Sequence, residues 1–294
     1  MNSQVLRIAC LVFVSAAHPL HGIAQSPFFP PRSSDARGGR AIMQSLLTAP
    51  LDVREATLFA EITGGNVPAL LRSFVPVRTS ISVAGRQVFA TFFAVPDYLS
   101  VGSDSDFVYA PMTPDLAQQI AASMRASLPT RLMVNLIYSQ AELRFRPQPL
   151  PPGPAMVTVP AFLQHNDSIS AQRAALGDSY RPGMLVAGHK KDVVISNAIY
   201  ASPRKGVDRP VVIFGWHRLD GSPIQPLYSG HQHTWADYSH GIRLVSDTVI
   251  VNGTRMLLPD VLADTVLFRL FSDEGVIPRP HYPLSGSLRQ RRLK

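Results

Sequence analysis

The 294-residue chain has one cysteine, Cys10, and it lies inside an apolar run at 8–14 near the N-terminus. Arg7 precedes that run, Ser15, Ala16 and Ala17 follow it, and Gly22 and Ala24 stand at the spacing a signal peptidase reads. The pattern predicts a secretory signal over 1–24, cleaved near Ala24, and a secreted or periplasmic product. Cleavage there removes the only thiol. A disulfide, a thiolate nucleophile and a cysteine metal ligand are then excluded. The apolar run is too short to span a bilayer and no longer one follows, so the processed chain is expected to have no transmembrane segment.

Other scarcities narrow the function. Glu274 is the only glutamate in the second half, and nothing places two of the aspartates there at a glycosidase separation. A G-x-S-x-G elbow is missing, which argues against the common α/β-hydrolase design. Internal repeats are absent. Net charge is +8 and the pI about 10.0, a balance that favours anionic wall polymers or headgroups. Nucleic acid is not an expected partner, because the chain reads as exported and has no aromatic-basic recognition motif. With 46% hydrophobic and 16% charged residues, the composition is that of a globular protein.

Hydrophobic periodicity orders what remains. A Pro/Ser-rich leader at 25–39 reads as a linker, and a single α+β domain is expected over 40–288, with a possible subdivision at the Pro-rich 146–156 and a basic tail at 289–294. Ile42, Met43, Leu46 and Leu47 share a helical face that Pro50 ends, and a second helix should end at Gly64-Gly65. "VRTSISV" and "RQVFATFFAV", separated by Ala84-Gly85, predict a hairpin. Thr113 before Pro114, and Thr130 after Pro129, predict two N-caps. Further on, "DVVISNAIY", "RPVVIFGWH" and "GIRLVSDTVIVNG" read as strands, "LDGSPIQPLYSG" as a turn-rich connection, and "LPDVLADTVLFRLF" as a closing helix. The expected architecture is helices, mainly from the N-terminal half, packed on an antiparallel or mixed sheet formed largely by the C-terminal half.

Three of the nine histidines fall in "GHQHTWADYSHGIRLV" at 230–245. His231 and His233, two apart, face one side of an extended segment, and Asp237 supplies a carboxylate, so these three form a candidate zinc set. Without metal, Asp237 orients a histidine for acid–base work. His240 follows Ser239 directly, and neighbours in a strand face opposite ways, so a second loop must contribute. His189 and His217, each at a strand end, are the candidates for that contribution. Trp216 and Trp235 are candidate stacking surfaces for sugars, and Arg243 a candidate holder of a substrate carboxylate. Each has a bland counterpart: His217 as a packing residue, Arg243 as a surface strand arginine, Lys190 and Lys191 as a solvated pair. His165 and His281 read as surface positions, and "GSDSDF" at 102–107 as a polar turn.

Two short likenesses accompany these residues. His231-x-His233 and His233-x-x-x-Asp237 resemble patterns of zinc-dependent peptidoglycan peptidases of the lysostaphin type, although here the two patterns share His233. "YSHGIRL" at 238–244 is similar to the S-H-G-C-[IV]-R signature of L,D-transpeptidases, matching at Ser239, His240, Gly241, Ile242, Arg243 and Leu244. The cysteine between glycine and isoleucine is missing, so the thiol chemistry does not carry over. The functional expectation is an exported hydrolase of a cell-envelope or extracellular polymer, peptidoglycan first, with or without zinc. The alternative is a non-catalytic exported module that binds cell wall or glycan.

Overall fold

The structure, a computed structural model, describes residues 27, 29–201 and 209–283. The expected signal segment with Cys10 and Ala24, and the basic tail at 289–294, lie outside the described residues.

The leader is not a free linker from Phe29 on. Arg72 donates to the carbonyls of Phe29 and Pro30, and Arg32 Nε donates to Asn66 Oδ1 at 2.8 Å. Helix α1 (Gly39–Ser45) buries Ile42 and Met43, with Leu46 buried just beyond it. Leu47, expected on the same face, is 48% exposed because the helix has already ended. Helix α2 (Leu51–Thr63) starts after Pro50 and stops at Gly64. Strands β1 (Val75–Val83) and β2 (Arg86–Ala94) form the expected hairpin, with positive φ at both Ala84 and Gly85 as a tight primed turn requires.

A small hairpin of β3 (Ser100–Gly102) and β4 (Phe107–Tyr109) leads to α3 (Pro114–Ser123), whose N-terminus is capped by Thr113 accepting from Leu116 N. After β5 (Ala126–Ser127), Thr130 caps α4 (Arg131–Gln140) in the same way, accepting from Met133 N. Strand β6 (Leu143–Arg144) precedes the Pro-rich stretch, which is tied down where Leu150 N donates to Tyr238 Oη at 2.8 Å. Helix α5 (Val159–Ala174) has no counterpart in the sequence reading. Its buried side is partly polar, with His165 and Asn166 among the covered residues, so its sequence shows no clean apolar stripe.

The second half supplies β7 (Val186–Ala187), β8 (Lys191–Val193), β9 (Pro210–His217), β10 (Pro223–Gln232), β11 (His240–Gly241), β12 (Val245–Ser246), β13 (Thr248–Val251), β14 (Thr254–Leu257) and α6 (Leu258–Ala263). "LDGSPIQPLYSG" therefore does not remain a connection. Most of it is β10, an edge strand whose pairing with β9 shifts register twice, and an edge accommodates Pro226.

The fold is α+β, with helices mostly in the N-terminal half and strands mostly in the C-terminal half. The larger sheet runs β14-β13-β2-β12-β5, with β1 on β2. A second sheet runs β10-β9-β8-β11, antiparallel except for the parallel pair β8 and β11. One cluster of buried apolar side chains extends from Ile42 to Tyr282, so both halves share a core.

Candidate functional site

The parallel pairing of β8 and β11 sets His240 directly beside Lys191. This contact builds the centre of a buried polar cluster. The turn before β11 holds Asp237, whose Oδ1 accepts from Ser239 N at 2.8 Å and also from the Ser239 hydroxyl. Ser239 is thus committed to fixing a carboxylate. The other oxygen, Oδ2, lies 3.4 Å from Trp235 Nε1, 3.7 Å from His240 Nε2 and 3.9 Å from Lys191 Nζ. Burial acts to raise the Asp237 pKa, but His240, Lys191 and the Ser239 hydrogen bonds outweigh it and hold the carboxyl below its usual range.

His240 is 1% exposed, and neither ring nitrogen has a hydrogen-bond partner among the described residues. Burial pushes its pKa down to about 4 against the pull of Asp237, leaving a neutral imidazole beside an ionised carboxylate. The Lys191 ammonium lies 5.2 Å from the centre of the Trp216 ring and makes no hydrogen bond to a described residue. His231 stacks on Trp235 with centroids 4.6 Å apart, and both are half-buried, which makes this pair the open side of the cluster.

Trp216 is brought there by an unusual backbone. Gly215 has φ 108° and Trp216 has φ 56°, two left-handed residues in succession at the end of β9. A bulky residue in that region is strained, and such strain concentrates at functional sites. The kink lets Trp216 N bond Lys190 O at 3.0 Å and leaves the indole N–H buried without an acceptor among the described residues.

Beneath the cluster lies a residue pair that the sequence reading put at the surface. Lys190 is 1% exposed and His165 is fully buried. Lys190 Nζ donates to Tyr238 O at 2.7 Å and sits 3.2 Å from His165 Nδ1. Burial pushes the Lys190 pKa down to about 7, and burial together with Lys190 keeps His165 well below the ordinary histidine range. Lys191, also read as solvated, is 9% exposed. The missed signal was scarcity: Lys190, Lys191, Lys205 and Lys294 are the only lysines in the chain.

The other sequence candidates disperse. His189 donates from Nε2 to Asp97 Oδ1 at 3.0 Å inside a box of Tyr98, Tyr109 and Phe145. Asp97 also takes Arg173 Nη2 at 3.0 Å and Tyr109 Oη at 2.9 Å. Arg243 is not a surface residue, and its guanidinium is already engaged. It is 1% exposed and bridges the carbonyls of Val95 and Val186, with Tyr98 under its guanidinium at 4.2 Å. Tyr98 in turn donates to Asp192, whose carboxyl burial pushes up to about 7. His217 leaves on the far side of the kink and stacks on Tyr138. His233 pairs with Asp115 at 2.9 Å and with Arg209, away from Asp237. The set His231, His233 and Asp237 is therefore not assembled, and no group of three His, Cys, Asp or Glu that could hold a metal occurs among the described residues. His281 is exposed.

Within the 102–107 loop, Asp104 accepts from Ala69 N and Asp106 from Arg40 N, so these carboxylates are engaged in backbone contacts. No helix among the described residues is long and apolar enough to cross a membrane. Comparison of the chain with protein-family models, with curated proteins and with solved structures gives no match.

Proposed function

We propose that the chain is an exported hydrolase of a cell-envelope or extracellular polymer, peptidoglycan first, working at Asp237, His240 and Lys191 without a metal. The observation that carries this reading is His240: a buried, neutral imidazole with both nitrogens unpartnered among the described residues, beside an ionised carboxylate and an ammonium. Natural structures rarely leave such groups unsatisfied, and a reacting group supplies the missing partner. In the proposed step His240 takes a proton from water as the water oxygen bonds to an acyl carbon. Lys191 stabilises the oxyanion, and the proton passes from His240 to the leaving nitrogen as the C–N bond breaks. Asp237 stabilises the transient imidazolium. The half-exposed His231–Trp235 pair is the side from which a polymer approaches. Net charge of +8 draws the protein to an anionic wall, and the predicted signal over 1–24 would deliver it there.

Incubation with purified cell-wall sacculi, followed by mass spectrometry of the soluble fragments, tests the reading. His240→Gln and Asp237→Asn are expected to slow release by about 100-fold or more under conditions where each variant is folded. Release should rise with pH through about 4 and then level off, because the base must be deprotonated. It should also survive dialysis against a chelator; stoichiometric zinc whose removal stops release would restore the metal reading. A folded His240→Gln that releases fragments at the wild-type rate refutes the site. The stacked His231–Trp235 pair also favours a second reading, a wall-binding module, for which wild-type protein binds sacculi and releases nothing.

A further inference from the structure

On the opposite side of the Gly215–Trp216 kink, a cleft of about 590 Å³ opens between α4 and the turn joining β9 to β10. We propose that this cleft binds an uncharged carbohydrate unit, with His217 as the acceptor for a sugar hydroxyl. The proposal does not rest on the hydrolase reading, since it concerns binding alone.

Three observations select the ligand class. The first is a fixed imidazole. His217 is 3% exposed, and its Nε2 donates to Asn135 Oδ1 at 3.0 Å, which fixes the tautomer and leaves Nδ1 as a lone-pair acceptor. No described residue bonds Nδ1. A side chain at residue 215 would press on that edge of the ring, its Cβ standing 3.3 Å from Cε1 and 3.4 Å from Nδ1. Burial pushes the His217 pKa down to about 4, so the acceptor is present at neutral pH.

The second is the state of the charges. Arg144 is the only cation lining the cleft among the described residues, and it is committed to the C-terminal end of α4, donating to Tyr138 O at 3.0 Å and Ser139 O at 2.7 Å. Asp220 lines the same cleft and repels anions. Its Oδ1 is taken by Ser222, which leaves Oδ2 to accept a second hydroxyl. The third is the wall: Leu219, 49% exposed, and Pro223 offer aliphatic surface to the C–H face of a sugar. Arg218, next in sequence to His217, acts on Asp220 and turns to Ser222 Oγ at 3.3 Å. Two acceptors facing an apolar wall, with the lining cation Arg144 already engaged, suit a polyhydroxylated ring better than a carboxylate, a phosphate or a purely apolar ligand.

The test is titration of isotope-labelled full-length chain with oligomers of N-acetylglucosamine, glucose and mannose, followed by NMR. At least one should give a saturable shift of the His217 Nδ1 resonance and of the Asn135, Leu219 and Gly221 amides. Leu219→Asp, a surface change that leaves folding intact, and His217→Phe should each weaken that binding by about three- to tenfold. No saturable shift with any of the three, equal binding by Leu219→Asp, or saturation instead by inorganic phosphate or acetate overturns the proposal. Because binding is read without turnover, its failure leaves the hydrolase reading standing, and the reverse holds as well.

Discussion

A lysine buried to 1% exposure, Lys190, is the sharpest single-residue feature of this protein. Lys190 faces Tyr238 O, His165 and the Tyr109 ring, with Asp237 and Asp97 as the nearby negative charges. Its pKa is pushed down to about 7 in the fold against an ordinary lysine value of 10.5, so from pH 7 to 10.5 the unfolded chain holds a proton that the folded chain has lost. Stability contributed by this site therefore rises with pH across that window, by on the order of 5 kcal/mol. Lys190→Met should abolish the rise. Melting temperatures of both proteins between pH 6 and about 10 check this, and parallel curves would show that Lys190 stays protonated in the fold. At this scale the sequence was legible where chemistry is local: Asp237 and His240 fall in one histidine-rich stretch and do meet. His189, His217 and His233 were misplaced because burial face and long-range partner, not spacing, decide where an imidazole goes. The partners Asp97, Asn135 and Asp115 lie far away in the chain.

Among the elements, β11 shows how tightly the site is assembled. A Cβ on Gly241 would stand 2.6 Å from Lys190 Cβ and 2.6 Å from the Tyr98 ring, so β11 approaches β8 only because residue 241 has no side chain. Gly241→Ala is expected to cost about 1–3 kcal/mol, read as a lower urea midpoint, and to reduce fragment release by spreading Lys191 from His240. An unchanged midpoint would mean that the strand yields without strain. The Ser-His-Gly stretch thus has a packing rationale of its own, with Ser239 fixing Asp237 and Gly241 admitting Lys190 and Tyr98. Elements with local signals were readable: Thr113 and Thr130 cap the helices that they announce. Helix α5 was not, because His165 and Asn166 are buried by partners that no local pattern reveals. Strand β10 was hidden by its prolines, which an edge position tolerates.

For the molecule as a whole, the two sheets and the shared core make the halves interdependent. Val95 N bonds Leu244 O, Leu99 N bonds Ile242 O, and Thr91 and Ala90 pair with Ile250 and Val251. Calorimetry is expected to show one cooperative transition despite the Pro-rich stretch at 146–156, and two separable transitions would mean two domains. The α+β class followed from the order of periodicities along the chain. The sheet order did not, since pairing between distant strands leaves no trace in a single sequence.

That sheet order also dictates when the fold can close. Strand β2 has only its hairpin partner β1 until β12 and β13 exist, and these lie near the far end of the chain. During synthesis the open edge and apolar face of β2 wait for nearly the whole protein to be made, a non-local closure that is intrinsically slow. A chain stopped short of Val245 would present an unfinished sheet to whatever strand or chaperone it meets first. Timing of assembly, as much as final stability, is thus written into the position of β2, with its early partner β1 on one edge and the late strands β12 and β13 on the other.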